Sequence, residues 1–213
     1  MIVAPLAALS TPPELSVIPP ALNRFLSVRP KLRVYFDVRR YEGIIESIAS
    51  RVTELGFALG LSSHSGIASE IVHRGEMVCV MPAGHELAAL PAISPRDLAP
   101  FPFIALERGT RLGEAVRKSF ELAGAPFRHT VEVRYCNTAC VLAAAGVGVS
   151  VVDPFSPRLA GSNGLAVRPF TPETPAVAYV IWSEAQPLSR LARAFLQEIR
   201  STAQDQPLVT PPV

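Results

Sequence analysis

Several polar residues stand directly after short apolar runs, where the end of a strand can present a side chain to a ligand. Ser10 and Thr11 close the run at 2–8, Arg39, Arg40 and Tyr41 follow the run at 32–38, and Glu107 follows 103–106. Arg134-Tyr135-Cys136-Asn137 follow 131–133, and Asp153 follows 147–152 and is itself followed by Pro154. Their chemistry is recognition of charge. A hydroxyl at a strand-to-helix turn caps the helix or, with the free helix N–H groups, holds a carboxylate. A guanidinium fork takes a carboxylate in two parallel hydrogen bonds, and strand alternation aims one of Arg39 and Arg40 inward. Asn137 is placed to cap the next helix, and Tyr135 to cover an apolar ligand body. Asp153 either caps the turn that follows it or supplies a counter-charge to an ammonium or guanidinium.

Catalytic and metal chemistry find little material. The four histidines, His64, His73, His85 and His129, show no His-x-x-x-His spacing, and Cys79, Cys136 and Cys140 form no Cys-x-x-Cys pair, so no metal site is expected. Cys136 and Cys140 are four apart on one helix, a poor disulfide geometry, and are read as buried small side chains. Gly146-Val147-Gly148 follows a helix and precedes a strand, the reverse of a dinucleotide fingerprint. No P-loop and no Gly-x-Ser-x-Gly occurs. The expectation is a chain without a cofactor and not an enzyme.

The elements that position these residues alternate. Strand patterns at 2–8, 32–38 and 57–61 are separated by helical spacing through Leu15, Ile18, Leu22, Phe25 and Leu26, and then through Ile44, Ile45, Ile48 and Val52. Pro19-Pro20 are expected to kink the first helix and Pro30 to stop it. This β-α-β-α-β order implies a parallel sheet covered on both faces. An extended stretch at 70–81 then carries the chain into a second lobe. There strands at 103–106, 131–133 and 147–152 alternate with helices at 111–122 and 137–145. After an extended segment at 165–170, the apolar run at 176–182 returns to the first lobe, and Leu188, Leu191, Phe195 and Ile199 mark a closing helix. The expected division is 1–74 plus 177–203 for lobe I, 75–176 for lobe II and a tail at 204–213. Ligands of open α/β sheets sit beyond the carboxyl ends of the strands, so the two lobes are expected to share a cleft bordered by the residues named above.

The chain has 213 residues, 49% of them apolar and 18% charged, enough for a packed core. Its 20 Lys+Arg against 18 Asp+Glu leave +2, with no basic run, which argues against nucleic-acid binding by this chain alone. Three cysteines suit a reducing compartment rather than a disulfide framework. The first lysine or arginine is Arg24, so no charged signal-peptide start precedes the apolar run, and no segment reaches the roughly 18 apolar residues of a membrane span. A cytoplasmic protein is expected.

Four segments carry a family resemblance: Pro19-Pro20 with Phe25 and Pro30; Met81-Pro82-Ala83-Gly84-His85-Glu86-Leu87; Ser94-Pro95-Arg96-Asp97-Leu98 followed by Phe103-Ile104; and VLAAAGVGVSVVDP from Val141 to Pro154. In order and spacing the chain resembles the effector-binding (substrate-binding) domain of LysR-type transcriptional regulators. One departure is Gly56, where many members carry an Asp. The resemblance implies two Rossmann-like lobes joined by two crossover strands, the type-2 periplasmic-binding-protein-like fold. It implies a small-molecule effector contacted from the Ser10-Thr11 loop, the Arg39–Tyr41 loop and Tyr135 to Asn137, and no membrane. It also implies homodimers of this domain, tetramers of the full regulator, and promoter DNA bound through an N-terminal winged helix-turn-helix, which this chain is expected to lack. The Val-Val-Asp-Pro variant resembles regulators that sense amino acids and opines, and arginines with one Asp suit a zwitterionic effector. The alternative on the same fold is a solute-binding protein of a transporter.

Overall fold

In the computed structural model, residues 17–61, 64–158 and 164–204 are described with side chains, and 2–9, 159 and 205 by backbone alone. They form two compact units. The first holds the residues up to Arg74 and from Val177 onward; the second runs from Gly75 to Ala176. The chain therefore crosses between units twice, inside two long strands.

In the first unit, β1 (Ile2–Leu9), β2 (Leu32–Val38) and β3 (Leu55–Leu59) join β4 (Ile67–Glu76) and β10 (Pro175–Ser183) in one sheet of order β2-β1-β3-β10-β4. β1 is parallel to β2 and β3, and β10 runs antiparallel to β3. Helix α1 (Ile18–Ser27) and the closing helix α7 (Arg190–Asp205) cover one face, and α2 (Tyr41–Ala49) the other. Strand alternation sorts the core. Leu55, Phe57 and Val180 pack with Phe25, Phe195 and Ile199 on the α1/α7 side, where the Phe25 and Phe195 rings are 5.1 Å apart. Ile181 points the other way, to Ile44 and Ile48 of α2. Gly56, between Leu55 and Phe57, lies beneath the same helix. A Cβ on Gly56 would fall 2.4 Å from Cγ2 of Ile44 and 2.9 Å from Cγ1 of Ile181.

The second unit repeats this plan. β5 (Val78–Pro82), β6 (Phe103–Leu106), β7 (Val131–Val133), β8 (Val149–Val152) and β9 (Leu165–Pro169) lie in the order β7-β6-β8-β5-β9. β6 is parallel to β7 and β8, and β5 is antiparallel to β8 and β9. Helices α4 (Arg111–Leu122) and α5 (Cys136–Ala144) make the crossovers between the parallel strands, and two short helices, α3 (Pro95–Leu98) and α6 (Ser156–Leu159), flank them. Phe103, Phe120 and Phe127 form an aromatic cluster with centroids 5.0–5.6 Å apart, capped by Arg117 over Phe127 at 4.4 Å.

Several boundaries differ from expectation. Pro19 and Pro20 do not kink α1 within the described residues; they occupy its first turn, after Val17, where their missing N–H groups cost nothing. β3 begins at Leu55 and ends at Leu59 rather than spanning 57–61. The extended stretch at 70–81 is two strands interrupted at Met77, whose N–H donates to the Thr174 carbonyl at 2.8 Å. α3 was not expected, although its signal is in the sequence. Ser94 and Asp97 form a capping box ahead of Pro95 in the first turn. Of the expected tail at 204–213, Gln204 and Asp205 continue α7, and 206–213 lie outside the described residues.

Candidate functional site

In the second unit the carboxyl ends of β6, β7 and β8 gather Glu107, Arg134, Tyr135, Cys136, Asn137 and Asp153 at one edge of the sheet. Parallel pairing of β6 with β7 puts Leu106 opposite Val133, so the next residue on each strand meets its neighbour: Arg134 Nη1 lies 2.6 Å from Glu107 Oε2. Both side chains remain partly open to solvent, 26% for Arg134 and 32% for Glu107. The Glu107 backbone is fixed as well. Its N–H donates to Val133, and its carbonyl accepts from the Thr110 hydroxyl at 2.7 Å. Thr110 in turn caps α4, accepting from the Gly113 N–H. Gly113 is required by the close approach, since a Cβ there would sit 2.6 Å from the Glu107 carbonyl oxygen.

α5 starts one residue earlier than expected. Its N-cap is Tyr135, extended at φ −109°, ψ 136°, with no side-chain cap hydrogen bond. Asn137 is thus not the cap but lies inside the first turn. Its Oδ1 is buried with no hydrogen-bond partner among the described residues. A helix N-terminus whose donors no side chain claims favours negative charge, and Arg134 adds a full positive charge directly before it.

Asp153 differs from the counter-charge reading. It is 0% exposed. Oδ1 accepts the N–H groups of Phe155 and Ser156, each at 2.8 Å, and Oδ2 the Ser156 hydroxyl at 2.7 Å. Burial pushes the Asp153 carboxyl above its ordinary 3.8, and these hydrogen bonds oppose the shift. The residue is the cap of the β8–α6 turn, with nothing turned outward. Cys136, 2% exposed, sits beneath the helix start and serves its placement; burial first and the nearby Asp153 charge second raise its thiol well above 9.0. Cys79, Cys136 and Cys140 are all free and buried.

In the first unit, Ser10 and Thr11 lie outside the described residues. Arg39 is exposed, and its guanidinium is used on its own unit, 2.6 Å from Asp37 Oδ2 and 3.2 Å from Ser47 Oγ. Arg40 is the N-cap of α2, again with no side-chain cap hydrogen bond. Tyr41 packs edge-on to His64 with centroids 5.9 Å apart, and against the Ile44–Ile48–Ile181 cluster. The structure therefore brings Glu107, Arg134, Tyr135 and Asn137 together at one sheet edge and withdraws Asp153 and Cys136 beneath it. Thr110 and Gly113 were missed as supports of that edge. Their signal was Gly109-Thr110 directly ahead of the periodic run 111–122. No group of three or more potential metal ligands occurs among the described residues, and no helix there is long and apolar enough to cross a membrane.

Two α/β units of this topology, joined by two crossover strands, define the type-2 periplasmic-binding-protein-like fold. The LysR substrate binding domain model matches residues 6–204, and the chain belongs to that family. Among curated relatives it is 25% identical over 185 residues to the regulatory protein NocR of Agrobacterium tumefaciens (strain T37), covering 87% of this chain and 62% of that protein. It is 30% identical over 154 residues to the octopine catabolism/uptake operon regulatory protein OccR of Rhizobium meliloti, covering 72% of this chain and 50% of the relative. The chain thus spans between half and two thirds of these relatives. The regulatory domain of CcmR from Synechocystis PCC6803, solved in complex with 2-PG, superposes with a TM-score of 0.81 at 20% identity, over 96% of this chain and 99% of that one.

Proposed function

We propose that this chain is the ligand-sensing domain of a LysR-type transcriptional regulator, that its effector is a small zwitterion of the amino-acid or opine kind, and that the carboxyl edges of its sheets hold that effector. The observation that carries the effector class is the Arg134–Glu107 pair, partly open to solvent, beside the start of α5. A partly exposed ion pair contributes about 1 kcal/mol or less. A ligand bearing both charges exchanges it at small cost for two pairs, its carboxylate meeting Arg134 and the α5 N–H groups and its cation meeting Glu107. Asn137 Oδ1, which has no partner among the described residues, is an acceptor for a ligand N–H. The counter-charge is thereby assigned to Glu107 instead of Asp153. Likeness to OccR, a regulator of octopine catabolism by name, supports the same class. On this reading the domain is cytoplasmic and non-catalytic, dimerises, and acts on promoter DNA through another part of a longer chain. The transporter alternative is not favoured, because the curated relatives are regulators.

Calorimetric titration with octopine, L-arginine and L-lysine, against benzoate as a purely anionic control, tests the proposal. Octopine or a basic amino acid is expected to bind more tightly than benzoate. Arg134→Ala weakens it at least tenfold, and Glu107→Gln weakens the zwitterions while sparing benzoate. Tighter benzoate binding, or affinities unchanged in both variants, overturns the effector class.

A further inference from the structure

Arg134 has two carboxylates in its neighbourhood. Glu107 faces it across the β6–β7 pair, with Arg134 Nη1 2.6 Å from Glu107 Oε2. Glu132 of β7 precedes it in the chain, about 7 Å back along the strand and on the same side by strand alternation, a separation that long side chains cover. Glu132 is nevertheless held from another direction. Arg117 of α4 places Nη2 2.8 Å from Glu132 Oε2, and the same nitrogen lies 3.5 Å from the Leu106 carbonyl at the end of β6. The Arg117 guanidinium also lies over the Phe127 ring at 4.4 Å, and His129 Nε2 approaches the same Glu132 oxygen at 3.7 Å. Burial decides between the two arginines. The Arg117 side chain is 13% exposed against 26% for Arg134, and its Nε is buried without a partner among the described residues. A guanidinium withdrawn that far from water loses more by giving up its carboxylate than one nearer the surface does. Glu132 therefore stays with Arg117, and Arg134 is left to Glu107.

We infer that Arg117 is a positioning residue: by holding Glu132 it keeps a competing carboxylate away from Arg134, so that the guanidinium proposed to receive the effector's carboxylate stays beside Glu107. The inference rests on the proposed function for what the effector is, while the sorting of the two carboxylates is a property of the ligand-free domain. Without Arg117, Glu132 turns to Arg134, and a ligand carboxylate must displace two acids instead of one.

The experiment is NMR of the Arg134 guanidinium in the ligand-free protein, its resonances assigned with Arg134→Lys. In wild type they are expected to move on Glu107→Gln and to hold still on Glu132→Gln. In an Arg117→Met background Glu132→Gln is expected to move them as well. Resonances that ignore Glu132→Gln in Arg117→Met, or that respond to it equally in both backgrounds, overturn the inference. Should Arg117→Met fail to fold, Arg117→Gln, which keeps a donor for the Leu106 carbonyl but no charge for Glu132, decides by the same resonances. Calorimetry with octopine is the second arm. Arg117→Met is expected to weaken octopine binding by up to about fivefold, the ceiling for one partly exposed ion pair. Glu132→Gln added to Arg117→Met is expected to recover most of that loss, because the competing acid is gone, and Arg117→Lys to stay near wild type. A role confined to packing the strands leaves the loss unrepaired by Glu132→Gln, and that result overturns the inference. Failure of octopine to bind the wild-type protein counts against the proposed effector class and leaves the Arg134 resonances to judge the role of Arg117.

Discussion

Replacing Gly56 by alanine adds a single methyl group, and the structure says where it must go. β3 is paired on both sides at this residue, Ala8 of β1 on one flank and Ile181 of β10 on the other, so the strand cannot retreat in its own plane. The new Cβ points into α2, 2.4 Å from Ile44 Cγ2, 2.9 Å from Ile181 Cγ1 and 3.1 Å from Ile48 Cδ1. All three isoleucines are at most 2% exposed, so none can swing into solvent, and relief requires the helix to lift off the sheet. Overpacking of a core costs roughly 1–3 kcal/mol, and two contacts this short on a doubly paired strand place Gly56→Ala in the upper half, about 2–3 kcal/mol. For a chain of this size that corresponds to a melting shift of about 4–12 °C. Trp182, the single tryptophan, packs against the first unit's core and reports its unfolding by fluorescence in urea. A double-mutant cycle identifies the cause. Ile44→Ala alone costs about 2–5 kcal/mol, but combined with Gly56→Ala the total should fall short of the sum by about 1–2 kcal/mol, because the truncation removes the clashing methyl. A Gly56→Ala protein within about 0.5 kcal/mol of wild type, or strict additivity with Ile44→Ala, would refute the packing argument. By the same geometry an acidic side chain at this position has no room.

Three further outcomes follow from the site and its supports. Asp153→Ala leaves two backbone N–H groups and one hydroxyl buried without an acceptor and should cost at least about 2 kcal/mol, read from urea unfolding of the second unit by circular dichroism; a loss below about 0.5 kcal/mol counts against its role as a buried cap. Thr110→Ala removes the α4 cap and should cost about 1 kcal/mol, while Thr110→Ser recovers most of it in the same assay. Asp97 is held below its ordinary 3.8 by the Ser94 hydrogen bonds, so its stabilisation is present above pH 3.8 and fades as the pH falls through its lowered value; a melting-temperature profile of Asp97→Asn should be flatter than wild type on that acid limb, and a parallel profile would show that the capping box does not contribute there.

Apolar periodicity alone was enough to read the alternating order of strands and helices. The runs at 103–106, 111–122 and 131–133 stand in the structure with the same bounds, because spacing of apolar residues directly states which face a segment must bury. The long runs at 70–81 and 176–182 likewise contain the points where the chain changes unit. What local pattern could not assign was the use of each polar residue at the strand ends. Arg134 and Glu107 meet because β6 and β7 are paired in register, and Asp153 is withdrawn because Phe155 and Ser156 converge on it. A carboxylate's role depends on which donors surround it and whether water reaches it: the donor to Glu107 lies 27 positions away, while those to Asp153 lie two and three positions on and only tertiary packing buries the group. The tight fit around Gly56 has the same origin: a glycine in a strand reads as a weak point until Ile44, Ile48 and Ile181, brought from three elements, fill the space its side chain would have taken.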